Sequence, residues 1–106
     1  MRILFDQGTP VPLRHALGEH AVRTAYEMGW STLDNGSLLA AAEKEFEVLV
    51  TADQSIQYQQ KLAGRRLAIL VLPTTSWPKI QARVSQVIEA LSSLRPGDML
   101  KLSFDP

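Results

Sequence analysis

Short runs of apolar residues, Ile3-Leu4-Phe5, Val48-Leu49-Val50 and Leu67–Leu72, constrain the fold of this chain more than any other feature. They are nearly unbroken by polar residues, the pattern of strands covered on both faces, and helix-patterned segments separate them. Arg2–Phe5 reads as a buried first strand that stops at the turn formers Asp6-Gln7-Gly8-Thr9-Pro10. Pro12 suits the first turn of a helix with Leu13, Ala16 and Leu17 inward and Gly18 as its stop. His20–Tyr26 alternates like a half-buried strand, and Tyr26 is expected in the core.

Ser37–Glu45 reads as a helix with Leu38, Leu39, Ala41 and Ala42 inward and Glu43, Lys44 and Glu45 in water. Asp34 and Asn35 precede it, where caps occur. Glu47–Ala52 is the next strand, Gln54–Leu62 a polar helix, and Leu67–Leu72 the most apolar strand. Trp77–Leu94 is expected as the longest helix, with Ser76 as N-cap and Pro78 at its start. Its stripe of Ile80, Val84, Val87, Ile88 and Leu91 marks a core face, or in part a dimer contact. Met99–Phe104 adds a last edge strand. The alternation predicts an α/β three-layer sandwich: a mainly parallel sheet of four or five strands with helices on both faces. One domain is expected over 1–106, with 96–106 as edge strand or tail.

Net charge is zero, from eleven basic and eleven acidic residues. That argues against a bulk electrostatic binder of nucleic acid, but allows an enzyme that touches nucleic acid locally. Apolar residues make up 45% of the chain, and no run is long enough to cross a bilayer. Met1-Arg2 leads straight into the first strand, without the apolar stretch of a signal peptide. There is no cysteine, so disulfides and thiolate metal sites are excluded, and a reducing cytoplasm is the expected location.

Ligands of parallel sheets bind outside the carboxyl ends of the strands. Asp6 and Asp53 each end an apolar strand, so both belong to that edge. Two carboxylates there repel each other unless a cation lies between them, and Mg²⁺ or Mn²⁺ is the natural partner. Such an ion polarises a phosphodiester and acidifies a bound water. Each residue also has an ordinary structural role: Asp6 can open a turn, and Asp53 can cap the helix beginning at Gln54.

Five segments together carry a family resemblance. They are Ile3-Leu4-Phe5-Asp6-Gln7-Gly8-Thr9-Pro10, Gly29-Trp30-Ser31, Leu38–Glu43, Val48-Leu49-Val50-Thr51-Ala52-Asp53, and Tyr58-Gln59-Gln60 with Leu62-Ala63-Gly64-Arg65. From Met1 to about Leu91 the chain resembles the small PIN-like domains, compact relatives of the PIN ribonucleases often found as toxins of toxin–antitoxin pairs. The resemblance implies a metal-dependent endoribonuclease in which clustered acids hold Mg²⁺ or Mn²⁺. Asp6 matches the first-strand acid and Asp53 the acid that closes the Thr-x-Asp strand, with Thr51 ordering that end and Gln7 beside the first acid. The middle acid of the family lies just before the helix near Leu38; here that position is Asn35, with Asp34 one residue earlier as the third catalytic candidate. Ser55 stands where many relatives carry an acid or Asn. Implied partners are RNA, a cognate small antitoxin and a second copy of the chain.

For RNA contact the candidates are Arg14 in the first helix, Lys61 and Arg65 of the basic group with Arg66, and Tyr58 as a stacking surface. Each has a plain alternative as a solvated or carboxylate-paired surface residue. His15 and His20 lack a ligand partner at helical spacing, and Trp30 and Trp77 read as packing anchors. No Walker loop, nucleophile elbow or dinucleotide fingerprint is present. Because Asn35 and Ser55 replace carboxylates, the alternative is a non-catalytic PIN-like module with a degenerate acidic site that binds RNA or a protein. A phosphoacceptor receiver is disfavoured: Gln7 follows Asp6, and Leu72 leads to Pro73-Thr74-Thr75 without a lysine.

Overall fold

Five strands form one all-parallel sheet in the computed structural model, which describes residues 1–56 and 65–104. They are β1 (Arg2–Phe5), β2 (Ala21–Thr24), β3 (Val48–Thr51), β4 (Ala68–Val71) and β5 (Met99–Lys101), in the order β2-β1-β3-β4-β5. The helices described are α1 (Leu13–Ala16), α2 (Asn35–Glu45), α3 (Trp77–Gln81) and α4 (Val84–Ser93). The α/β class and the parallel sheet are as the apolar runs predict.

The side-chain period of two sorts the strand residues onto two faces. Ile3, Phe5, Val48, Val50, Ala68 and Leu70 pack with Leu13, Ile80, Val87 and Leu91 of α1, α3 and α4. Leu4, Leu49, Ile69 and Val71 face the other way, against Leu38, Leu39 and Ala42 of α2. Both faces of β3 and β4 are therefore covered, and their residues are buried throughout. The Cα radius of gyration is 12.6 Å, and among the described residues no helix is long and apolar enough to cross a membrane.

The structure differs from expectation in several places. The helix expected over Trp77–Leu94 is broken: Arg83 adopts φ -124, ψ 26, and its N–H bonds to the Ile80 carbonyl three residues back. Neither proline nor glycine marks the break, so the apolar spacing runs straight through it. Ile88 leaves the core stripe and is 42% exposed, because Val87, Ala90 and Leu91 already fill the face of α4 turned to the sheet. Tyr26 is 79% exposed rather than in the core. The chain turns at Ala25, whose N–H bonds to the Phe5 carbonyl at 2.8 Å, so the strand alternation stops before it reaches Tyr26.

At the amino edge of the sheet Glu43, expected in water, is half-buried and accepts from Arg65 Nη1 at 3.2 Å and from the Arg66 N–H at 2.8 Å. Gly97 leads into β5 with φ +84, and a Cβ there would lie 2.9 Å from the Arg65 carbonyl, so the turn requires glycine. The helix expected over Gln54–Leu62 runs beyond the described residues.

Candidate functional site

From β1 the chain proceeds outward to β2 on one side, while β3 pairs with β1 on the other. The gap between the carboxyl ends of β1 and β3 is thus the switch point of a doubly wound 2-1-3-4-5 sheet, the usual ligand position. Asp6 follows β1 and Asp53 follows β3, so both aspartates stand at this gap.

Asp6 is held by its own turn and by β3. Its Oδ1 accepts from the Gly8 N–H at 3.2 Å and lies 2.9 Å from the Thr9 hydroxyl; Oδ2 accepts from the Thr51 hydroxyl. Thr9 is also 2.8 Å from the Val50 carbonyl, so its single proton serves one acceptor at a time. Thr9 and Thr51 are buried polar residues satisfied through these bonds. Thr51 additionally accepts the Asp53 N–H at 3.0 Å, so one hydroxyl joins the two aspartate positions.

Asp53 is set by the loop it opens. Its Oδ1 accepts the Ser55 N–H at 2.9 Å and the Ser55 hydroxyl at 2.7 Å; Oδ2 accepts from Asn35 Nδ2 at 3.2 Å. Gln54 ties the same loop to β4 by donating to the Leu72 carbonyl at 2.6 Å. Asn35 opens α2, whereas Asp34 is its exposed N-cap and accepts the Ser37 N–H at 2.7 Å. Asn35 therefore touches Asp53, while Asp34 spends its carboxylate on the helix end.

The electrostatics separate the two aspartates. Burial pushes the Asp6 carboxyl above its ordinary value; the Thr51, Thr9 and Gly8 donors oppose that, and the nearby Asp53 charge adds to it. Asp53 is lowered by the Ser55 hydroxyl and N–H, with Asn35 contributing. Asp34 is lowered by the N–H and hydroxyl of Ser37.

Among the described residues no group of three His, Cys, Asp or Glu side chains forms a metal cluster. The carboxylates at the gap are those of Asp6 and Asp53, and Asn35 faces Asp53 with its amide nitrogen. Two carboxylates with water and substrate oxygens completing the shell are a donor set that suits Mg²⁺, which keeps much of its hydration. The residues fit such an ion and do not form an all-protein cage.

Beside Asp6 lies a cleft of about 690 Å³ whose walls include Gln7, Arg14, Tyr26 and Glu27. Gln7 is exposed there. Arg14 is not free: its guanidinium makes a two-pronged pair with Glu27 at 3.2 and 2.5 Å. Glu27 also accepts the Thr24 N–H at 2.9 Å, and these bonds hold its carboxyl below the usual range. Arg65 precedes β4 and lies at the amino edge with Glu43, away from both aspartates, so the structure does not bring it to the gap. Tyr58 and Lys61 lie outside the described residues.

Sequence reasoning missed Thr9, the second buried hydroxyl on Asp6. The Asp-x-x-Thr spacing, which lets a turn fold a hydroxyl back onto the carboxylate, is the signal that finds it. Comparison with protein-family models, curated proteins and solved structures finds no match to this chain.

Proposed function

We propose that this protein is a metal-dependent endoribonuclease of the PIN-like kind, acting in the cytoplasm as the toxin of a toxin–antitoxin pair. The observation that carries the reading is the juxtaposition of Asp6 and Asp53 at the β1/β3 switch point, coupled through the Thr51 hydroxyl. In this reading Asp6 and Asp53 hold Mg²⁺ or Mn²⁺, and Asn35 steadies Asp53 by donating to it from Nδ2. The bound ion supplies charge for the scissile phosphodiester and acidifies water. The residues of the chain do the positioning. Thr51 and Thr9 keep Asp6 ionisable despite its burial, and Ser55 keeps Asp53 charged. Water adds to phosphorus, the phosphorus–oxygen bond to the leaving nucleotide breaks, and that oxygen takes up a proton. The resemblance also supports a small antitoxin as inhibitor and pairing with a second copy.

A specific observation favours a second reading, a PIN-like module that binds RNA or a protein without cutting. Asn35, not a carboxylate, touches Asp53, and Asp34 is committed to its cap. Cleavage of single-stranded RNA with Mn²⁺, by wild type beside Asp53→Asn, decides between them. The nuclease reading expects a loss of orders of magnitude in the variant; equal cleavage by both proteins removes it. RNA binding without cleavage in wild type selects the module.

A further inference from the structure

A second recess, of about 510 Å³, opens on the carboxyl edge of the sheet beyond β4 and β5. Thr74 from the loop after β4, Lys79 from α3, Arg83 from the helix break, and Ser103 and Phe104 after β5 line it. Lys79 and Arg83 make no salt bridge among the described residues, whereas Arg14 and Arg65 are both paired with glutamates. The helix break gives Arg83 its place: its backbone leaves the helical region there, four residues past Lys79.

This recess and the aspartate gap share the carboxyl edge of the sheet. A Cβ on Gly8 would lie 3.8 Å from Asp6 Oδ1 and equally 3.8 Å from Thr75 Cγ2, so Gly8 stands between Asp6 and the loop after β4. The same loop is anchored to the Asp53 loop through Gln54 and the Leu72 carbonyl. Its far end is fixed by the Ser76 N–H, which bonds to the Thr74 hydroxyl at 3.0 Å.

We propose that Lys79 and Arg83 hold the phosphate backbone of a single-stranded nucleic acid where it passes from the Asp6–Asp53 gap toward β5. The proposal rests on the nuclease reading for its substrate class. Two carboxylates repel a polyanion, so a strand brought to them needs unpaired cations close by. In a chain of zero net charge that attraction must be local. Lysine supplies a compact charge and arginine a fork that matches phosphate oxygens. Phe104, half-buried and packed against the core, also lines the recess, and an aromatic side chain there suits an unstacked base, which a single strand presents and a duplex does not.

The test is fluorescence anisotropy of a labelled single-stranded RNA of about ten nucleotides. Binding is measured in EDTA so that nothing is cut, over a salt titration, for wild type, Lys79→Gln/Arg83→Gln and the charge-conserving Lys79→Arg/Arg83→Lys. The glutamine pair is expected to weaken binding about tenfold and to reduce the salt slope by about 0.7 for each phosphate left without its cation. The charge-conserving pair keeps the slope. Thermal melts confirm that both variants fold. Unchanged affinity and slope in the glutamine pair overturn the assignment, and if wild type still cleaves RNA the nuclease reading survives that result. RNA binding that depends on Lys79 and Arg83 without any cleavage keeps the assignment and removes the nuclease. Binding of an acidic peptide in place of RNA, abolished in the glutamine pair, overturns the nucleic-acid assignment.

Discussion

The Thr51 hydroxyl donates to Oδ2 of Asp6 across the β1/β3 gap while accepting the N–H of Asp53. Thr51 is 0% exposed, so neither bond has water as a ready substitute. Replacing it with valine keeps the shape and removes the hydroxyl, leaving a buried carboxylate short of a donor. The fold should lose about 1–3 kcal/mol at neutral pH. The Asp6 carboxyl should titrate higher still, since one of the donors favouring its charged form is gone. Thr51→Ser should recover most of both effects. Urea unfolding and carboxyl NMR titration measure them; wild-type stability in Thr51→Val would show that the bond contributes nothing.

The raised carboxyl of Asp6 gives stability a definite pH dependence. Its folded value lies above the ordinary 3.8, so the native state holds that proton more tightly than the unfolded chain does. Its contribution is fully present below 3.8 and is lost as pH rises through the folded value. Asp53 runs the opposite way: its contribution is present above 3.8 and is lost as pH falls through its lowered value. Asp6→Asn removes the first effect and leaves the second. The variant should gain melting temperature relative to wild type as pH climbs from below 3.8 to neutrality, then level off. A constant difference across that range contradicts the assignment.

Asn35→Asp separates the residue that touches Asp53 from the one that only caps a helix. Without metal, a carboxylate beside Asp53 should cost on the order of 1 kcal/mol by charge repulsion. With Mn²⁺ the same variant should show a larger rise in melting temperature than wild type, since a third carboxylate completes the acid set. Asp34→Ala should lower stability through the lost cap, with the metal response unaltered. If Asp34→Ala abolishes the Mn²⁺ shift while Asn35→Asp leaves it unchanged, the metal-side roles of the two residues are reversed.

Tyr26→Ala should leave stability within about 0.5 kcal/mol of wild type, as befits a side chain 79% exposed. A core tyrosine, which the strand alternation predicts, would cost several times more. Chemical denaturation distinguishes the two outcomes directly.

The class of fold was legible because β3 and β4 are buried on both faces and so had to be written in nearly unbroken apolar residues. The same apolar runs end just before Asp6 and Asp53 and so mark both for one edge. Local chain reversals were not legible. The turn at Ala25 carries Tyr26 outward, and the break at Arg83 lies in residues without a helix breaker, so periodicity passes through both unmarked. Partner choice was illegible for a different reason. Asp34 and Asn35 are neighbours in sequence, and only the entry of α2 decides that one caps while the other reaches across to Asp53. Arg65 looked suited to RNA by composition alone. Its position before β4 sends it to the other edge.

That placement of Arg65 makes the last prediction. Its pair with Glu43 spans 3.2 Å, with the two side chains 23% and 31% exposed. Partly exposed pairs of this kind contribute at most about 1 kcal/mol. Arg65→Gln should therefore lower stability slightly, and more in low salt than in high salt, because screening already weakens the pair. RNA affinity and cleavage should not change, since the amino and carboxyl edges of the sheet are separated by the full length of the strands. A filter-binding assay on Arg65→Gln alongside a salt-dependent melt tests both halves. Weakened RNA binding with unaltered stability would mean that the substrate path reaches the amino edge, and that the aspartate gap does not bind it alone.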